Sequence, residues 1–503
     1  MPRSTPLPAR PHPAAGRRAT FAVLAAATAS ISLLQSLVTP VLPTIQADLH
    51  TSATTVTWVI TAWLLTASVA TPLLGRFGDL AGKQRTLLVA LGAIAAGSAL
   101  AAIAPTVWVL ILGRVLQGVG AAVFPLAFAI VRDVFPPEQV STAVGAIAAV
   151  IATGGGAGVV LAGPVVNLLS WRWLFWIPAI AATAIWFLTL RFVPESPVRA
   201  AGRPNLGSAL LLSGWLVSLL VPVTKGHSWG WGSPLVIALL ALAVALFAGW
   251  VTVELRSSTP LIDMRMMRAP AVWTTNLVAL LFGAAMFMIY AFLPIFMQTP
   301  VAAGYGFGSS VTAAGLLLLP MLVSMAVVGF ISGSITAVIS SKLQLVAGAA
   351  LLTAACGWLV FLHDTRWEVS LAAGVSGLGM GLAFSSMVNL VVSGVPLEQT
   401  GVASGMNTNV RTIGGSLGTA LASSLISARL LPSGVPVEAG FTHAFILMTV
   451  LAATAVGVAV LVPTAARGRR VPAPRPVGTG RYAPAADTTA SVTNPASSPI
   501  RTP

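Results

Sequence analysis

Few residues in this chain can do chemistry, and most of them stand inside or beside long apolar runs. Asp79, Lys83 and Arg85 share one short segment with Gly75, Gly78 and Gly82, between two such runs. Arg114 lies within another run, and Gln117 three residues on shares its helical face. Arg132 and Asp133 close that run. Gln35, Asn276, Tyr290, Asn389, Asn407, Asn409 and Arg411 are further polar groups in apolar surroundings, with Phe282, Met286 and Phe287 as adaptable apolar surface nearby. This set can pair charges, take up a proton on a carboxylate and hydrogen-bond a ligand. It offers no catalysis: Cys356 is the lone cysteine and lies in an apolar run, and no Gly-x4-Gly-Lys-Ser/Thr phosphate loop occurs. The expectation is no enzyme, no cofactor and no metal. ATP-driven pumping by this chain alone is excluded.

The elements that must hold these groups follow from composition. Hydrophobic residues make up 56% of 503 and charged residues 8%, against roughly a quarter charged in a soluble domain. There is too little polar surface to coat a water-soluble globule. A helix needs roughly 20 apolar residues to cross a bilayer, and the sequence contains fourteen such runs with short loops. They show no alternation of period two, so helices rather than a barrel satisfy the backbone in lipid. Expected spans include 54–74, 86–104, 106–131, 141–168 and 400–428. The residues from 464 on are rich in Pro, Ala, Arg and Thr and read as a disordered tail.

Net charge is +15. The basic residues occupy tails and loops and do not interleave with aromatics, so they read as topology determinants and not as a nucleic-acid surface. With fourteen spans, 21 of the 27 Lys and Arg fall on the side of the two tails, while Arg172, Lys225, Arg366 and Arg429 fall opposite. The bias places both termini in the cytoplasm. Trp171, Trp173, Trp229, Trp231 and Trp367 gather at outer ends, as an interfacial belt does. The Arg-bearing first 19 residues read as an uncleaved cytoplasmic tail, because the following apolar run is too long for a signal peptide.

Several segments resemble the major facilitator superfamily. Gly75-Arg76-Phe77-Gly78-Asp79-Leu80-Ala81-Gly82-Lys83-Gln84-Arg85 resembles its loop between the second and third helices; a plain hairpin with topogenic charges is the simpler reading. Arg114-Val115-Leu116-Gln117-Gly118-Val119-Gly120 resembles its Arg-x3-Gly-x-Gly motif, where the arginine is associated with proton transfer; an arginine bonded to the backbone of the first helix is the structural alternative. Gly154, Gly158, Gly163 and Pro164 resemble the antiporter helix of exporters, although Val165-Val166-Asn167 departs from the usual continuation. Trp171-Arg172-Trp173-Leu174-Phe175 and Asn407-Thr408-Asn409-Val410-Arg411-Thr412-Ile413-Gly414-Gly415 resemble segments of the fourteen-helix drug:proton antiporters. The resemblance implies an all-α fold of two six-helix bundles, 20–195 and 259–463, with two extra spans in 196–258.

It also implies a proton-coupled exporter of small amphiphilic compounds, drugs or natural products, in the bacterial plasma membrane. Its partners would be substrate, protons and lipid, and it would act as a monomer. One departure stands out. The family's first-helix aspartate position holds Leu34, and none of the twelve acids falls in the middle of a span. Arg114 and Asp133 are then the proton-coupling candidates, with substrate-borne protons or uncoupled transport as alternatives. Gly75, Asp79, Gly82, Lys83 and Arg85 form the expected gating loop. Gln35, Gln117, Asn276, Tyr290, Asn389, Asn407, Asn409 and Arg411 line the expected cavity. Lacking an embedded anion, it favours neutral, zwitterionic or anionic amphiphiles over permanently cationic dyes. An importer or uniporter of the same superfamily and a non-transporting sensor are the rival readings.

Overall fold

The computed structural model describes residues 14–463 apart from 57, 197–204, 258–259, 261, 337 and 397–398. The expected tail from 464 and the first 13 residues lie outside the described residues. No strand occurs among those described.

Fourteen long helices follow one another: α1 (Ala14–Leu37), α2 (Trp58–Ala81), α3 (Lys83–Ala102), α4 (Val107–Val134), α5 (Pro137–Leu168), α6 (Trp173–Phe192), α7 (Leu206–Trp229), α8 (Pro234–Arg256), α9 (Pro270–Gln298), α10 (Val311–Leu317 and Leu319–Ile335), α11 (Ser341–Phe361), α12 (Arg366–Ser393), α13 (Thr400–Ile426) and α14 (Glu438–Leu461). Among the described residues, thirteen helical stretches, one in each helix but α13, are long and apolar enough to cross a membrane. The exception is long enough at 27 residues but carries Asn407, Thr408, Asn409, Arg411 and Thr412 in its middle. Several starts are set locally: the side chains of Asn205, Ser233, Ser310 and Ser340 each accept a backbone N–H of the first turn, and Thr365 with Glu368 forms a capping box.

Helices α1–α6 and α9–α14 form two six-helix halves, and α7 and α8 pack on each other between them in sequence. The face where α1 begins is proximal here, the opposite face distal. The halves meet along two seams, α5 with α10 and α12, and α2 with α13. Helix α7 touches both α2 and α13 and so covers the second seam.

Both seams run on glycine. A Cβ on Gly156 of α5 would overlap Leu322 of α10, while one on Gly154 would come within 2.9 Å of Ser32 in α1. Gly158 likewise abuts Ser36 and Leu33. The glycine run of α5 therefore packs on two sides, on its own half through Gly154 and Gly158 and on the other half through Gly156. Ser32 adds a hydrogen bond from its hydroxyl to the carbonyl of Ile151. Gly163 is half-buried and Pro164 lies inside the helix near its distal end.

The segment at 75–85 differs from the loop expected at that place. Helix α2 continues through Ala81 and α3 starts at Lys83, so Gly82 alone breaks the helix, with φ +122°. Glycine adopts that conformation at little cost, and Glu195 fills the space where a Cβ would point. The charges extend the helix past the apolar run, because a bilayer limits greasy length and not helix length. A 3-10 turn at Gly120–Ala122 divides helix α4.

Candidate functional site

Two places gather the polar residues: the proximal end of the α2–α13 seam, and the interior of the second half.

At the proximal end α2 and α13 touch backbone to backbone. A Cβ on Gly75 would lie 2.9 Å from the carbonyl oxygen of Gly401, and one on Gly405 would lie 3.1 Å from that of Thr71. Asp79 sits beside this contact, 1% exposed. Its Oδ2 accepts the backbone N–H of Val402 at 3.2 Å. A carboxylate at the first turn of a helix satisfies an orphan donor and meets the positive end of the dipole. Arg132, from the last turn of α4, reaches the same region: it donates to the carbonyls of Val395 (2.8 Å) and Pro396 (3.3 Å) and to the hydroxyl of Thr400 (2.6 Å). Both sets of bonds cross from the first half to the second.

Lys83 connects this latch to its own half. It lies 3.9 Å from Asp79 and donates to Asp133 at 2.7 Å, with Lys83 and Asp133 almost fully buried. Asp133 also accepts from Ser196 at 2.5 Å. Arg85, by contrast, is exposed and lies 3.7 Å from Glu195. Glu195 in turn accepts the backbone N–H of Gln84. Of the five expected gating residues, Gly75, Asp79 and Lys83 thus lie at the latch, Gly82 and Arg85 lie beside Glu195 instead, and Arg132, read in the sequence only as closing the fourth run, is a direct link between the halves. Its place in the last turn of α4 was the available signal.

Arg114 and Asp133 are not brought together. Nineteen residues separate them along α4, about 28 Å at helical rise. Arg114 is 1% exposed and donates to the carbonyl of Val59 in α2 (3.0 Å) and to Oε1 of Gln117 (2.8 Å). Gln117 passes a hydrogen bond to Ser98 of α3 (2.9 Å), and the Trp63 ring lies 5.5 Å from the guanidinium. The backbone partner is on α2, not on the first helix. This network joins α2, α3 and α4 within one half.

In the second half, α13 presses on α9 through Gly283, Gly414, Gly415 and Gly418. Asn407 donates to Asn276 Oδ1 at 2.9 Å. One turn further on, Arg411 is 5% exposed, stacked over Phe384 of α12 at 4.1 Å. Tyr290 of α9 is half-buried, donates to the sulfur of Met325 at 3.5 Å and packs edge-on to Phe287. Asn389 and Asn409 are buried, on α12 and α13. Gln35 is half-buried on α1. Of the expected cavity residues of the second half, Asn276 and Asn407 pair between α9 and α13, and Arg411 lies against α9 and Phe384 of α12; Gln117 belongs to the Arg114 network instead.

On the distal face Asp48 accepts from Trp171 (2.8 Å) and from Arg172 (2.9 Å). These bonds hold its carboxyl below the usual carboxylate range. His363, Asp364 and Glu438 lie close enough to share an ion. His363 there is engaged by the Leu359 carbonyl and by Glu438.

Two bundles of membrane-length helices, joined across two glycine seams and enclosing buried polar groups, define a membrane-transporter architecture. The profile of the Major Facilitator Superfamily matches residues 24–419, and the chain belongs to that family. An uncharacterized MFS-type transporter of Mycobacterium tuberculosis is 30% identical over 439 residues, 83% of this chain and 61% of its own length. The chain therefore spans less than two thirds of that relative. The tetracenomycin C resistance and export protein of Streptomyces glaucescens is 29% identical over 431 residues, covering 83% of this chain and 78% of that one. Among solved structures, the human organic anion transporter MFSD10 matches with a TM-score of 0.64 at 16% identity, over 89% of this chain and all of that one; at that identity the likeness concerns the fold.

Proposed function

We propose that this protein exports small amphiphilic compounds, drugs or natural products, by alternating access coupled to proton entry. The observation that carries the reading is the latch between the halves: Asp79 on Val402 N–H and Arg132 on Val395, Pro396 and Thr400 close one face across a seam of glycine contacts. Smooth backbone surfaces along this seam allow the halves to part. The tetracenomycin C relative supports export and a natural-product substrate class.

On this reading the protein lies in the bacterial plasma membrane as a monomer with both tails cytoplasmic, so the latch closes the cytoplasmic face. Substrate meets the polar and aromatic groups between the bundles near the midplane. Asp79 is the latch's own carboxylate, and Asp133, paired with Lys83 behind it, is the proton-coupling candidate of this reading. Arg114 braces α2 against α4.

The test is export in a pump-deficient bacterial host. The chain should raise resistance to amphiphilic antibiotics, and a protonophore should abolish the effect. Channel-like ion conductance in proteoliposomes, or increased drug accumulation in cells, would overturn the proposal.

A further inference from the structure

We infer that Arg411 is the recognition group for an anionic aromatic substrate, with the acid group on the guanidinium and the ring system against Phe384, Phe287 and Tyr290. The inference rests on the export reading above and names the substrate class of its central site.

The two arginines within spans are in different situations. Arg114 has a backbone carbonyl, an amide oxygen and a tryptophan face around it. Arg411 has the Phe384 ring at 4.1 Å, and its Nη1 is buried with no hydrogen-bond partner. None of the ion pairs among the described residues involves Arg411. No acid stands within α9, α10, α13 or the middle of α12 to neutralise it. A buried, unpaired guanidinium costs several kcal/mol, and position 411 is near the centre of its helix, too far from either end to reach water by extension.

The surroundings repeat the sign. Asn276 accepts from Asn407 through Oδ1, which leaves its Nδ2 as a buried donor without a partner. Asn389 on α12 likewise has a buried Nδ2 unpartnered. The interior of this half therefore holds spare amide donors and a positive charge, beside the Asn409 amide whose Oδ1 and Nδ2 are both unpartnered, and a ligand rich in acceptors completes the guanidinium and the donors. A carboxylate or sulfonate pairs with a guanidinium in a planar fork. The ring of Phe384 already orients that fork, and Phe287, Tyr290 and Met325 supply an adaptable apolar wall. Aromatic acids match both halves of this description. Permanent cations match neither the charge nor the donors.

Proteoliposomes containing the full chain, with an imposed proton gradient, test this with three fluorescent probes: carboxyfluorescein as anion, Nile red as neutral amphiphile and ethidium as cation. Wild-type protein should move carboxyfluorescein, and Arg411→Gln should slow it by about tenfold or more, the worth of one charge-assisted hydrogen bond. Arg411→Lys should recover part of the rate, and Nile red transport should change less than twofold in either variant. Export of Nile red or ethidium without carboxyfluorescein overturns this inference and leaves the export reading standing. An equal loss of all probes in Arg411→Gln assigns the arginine to packing and also overturns it. Movement of no probe by wild-type protein overturns both.

Discussion

Asp79 on α2 and Val402 on α13 are 323 residues apart and share a hydrogen bond of 3.2 Å, carboxylate oxygen to backbone N–H. The pair ties the two halves at one face, and its strength sets how often that face opens. Replacing the carboxylate by its amide removes the charge that meets the helix dipole. Asp79→Asn should shift the balance towards the open latch by about 1–2 kcal/mol, roughly tenfold in population. Single cysteines placed along α13 near Ser404 should then label faster from the proximal side; unchanged labelling would show that the bond does not control the face.

Gly401 leaves no space for a side chain. A Cβ there would lie 2.9 Å from both Gly75 O and Asp79 Oδ1, and the first is backbone that cannot turn aside. Gly401→Ala should hold the seam apart and reduce transport at least about tenfold while the protein still inserts. Gly457→Ala on α14, where nothing lies within 4 Å of the added atom, should transport as wild type. Equal activity in the two variants would contradict the close-packed seam.

Arg114→Leu should destabilise the first half. It leaves Gln117 Oε1 without its buried donor, at about 1–3 kcal/mol, and removes the bond that ties α4 to the carbonyl of Val59 on α2. The apparent Tm in detergent should fall by several degrees, and Arg114→Lys should restore only part of the loss because one ammonium replaces a planar fork. A Tm unchanged in Arg114→Leu would sever the arginine from the packing of α2 on α4.

Protonation should weaken the distal clamp formed by Asp48 with Trp171 and Arg172. The folded carboxyl titrates below its ordinary value. Its contribution is therefore present at neutral pH and is lost as pH falls below about 4 through the lowered value. Asp48 is well exposed, so the effect is small. Asp48→Asn should lower Tm slightly at pH 7, and the difference from wild type should shrink as pH falls below about 4; a difference that grows on acidification would reverse the assignment.

The membrane fold was legible because it depends on composition along the chain. Long apolar runs with no alternation leave helices as the solution in lipid, and fourteen of them appear where the runs stand. Helix ends were less legible. At 75–81 the residues are polar enough to suggest a loop, yet helical hydrogen bonds form as readily in the interface as in the core. The two buried arginines also looked alike, each within an apolar run with small residues close by. Only neighbours from other helices separate them: Val59 and Gln117 complete one, and Phe384 leaves the other open.

By itself the amino-acid sequence determined the solvent, the helices and the family, since these follow from local chemistry and from short motifs read in order. The tertiary structure decided which distant residues meet: Asp79 with Val402, Arg132 with Thr400, Gly156 with Leu322. Such contacts depend on how two separately built bundles dock, and no local pattern encodes a distance of hundreds of residues along the chain.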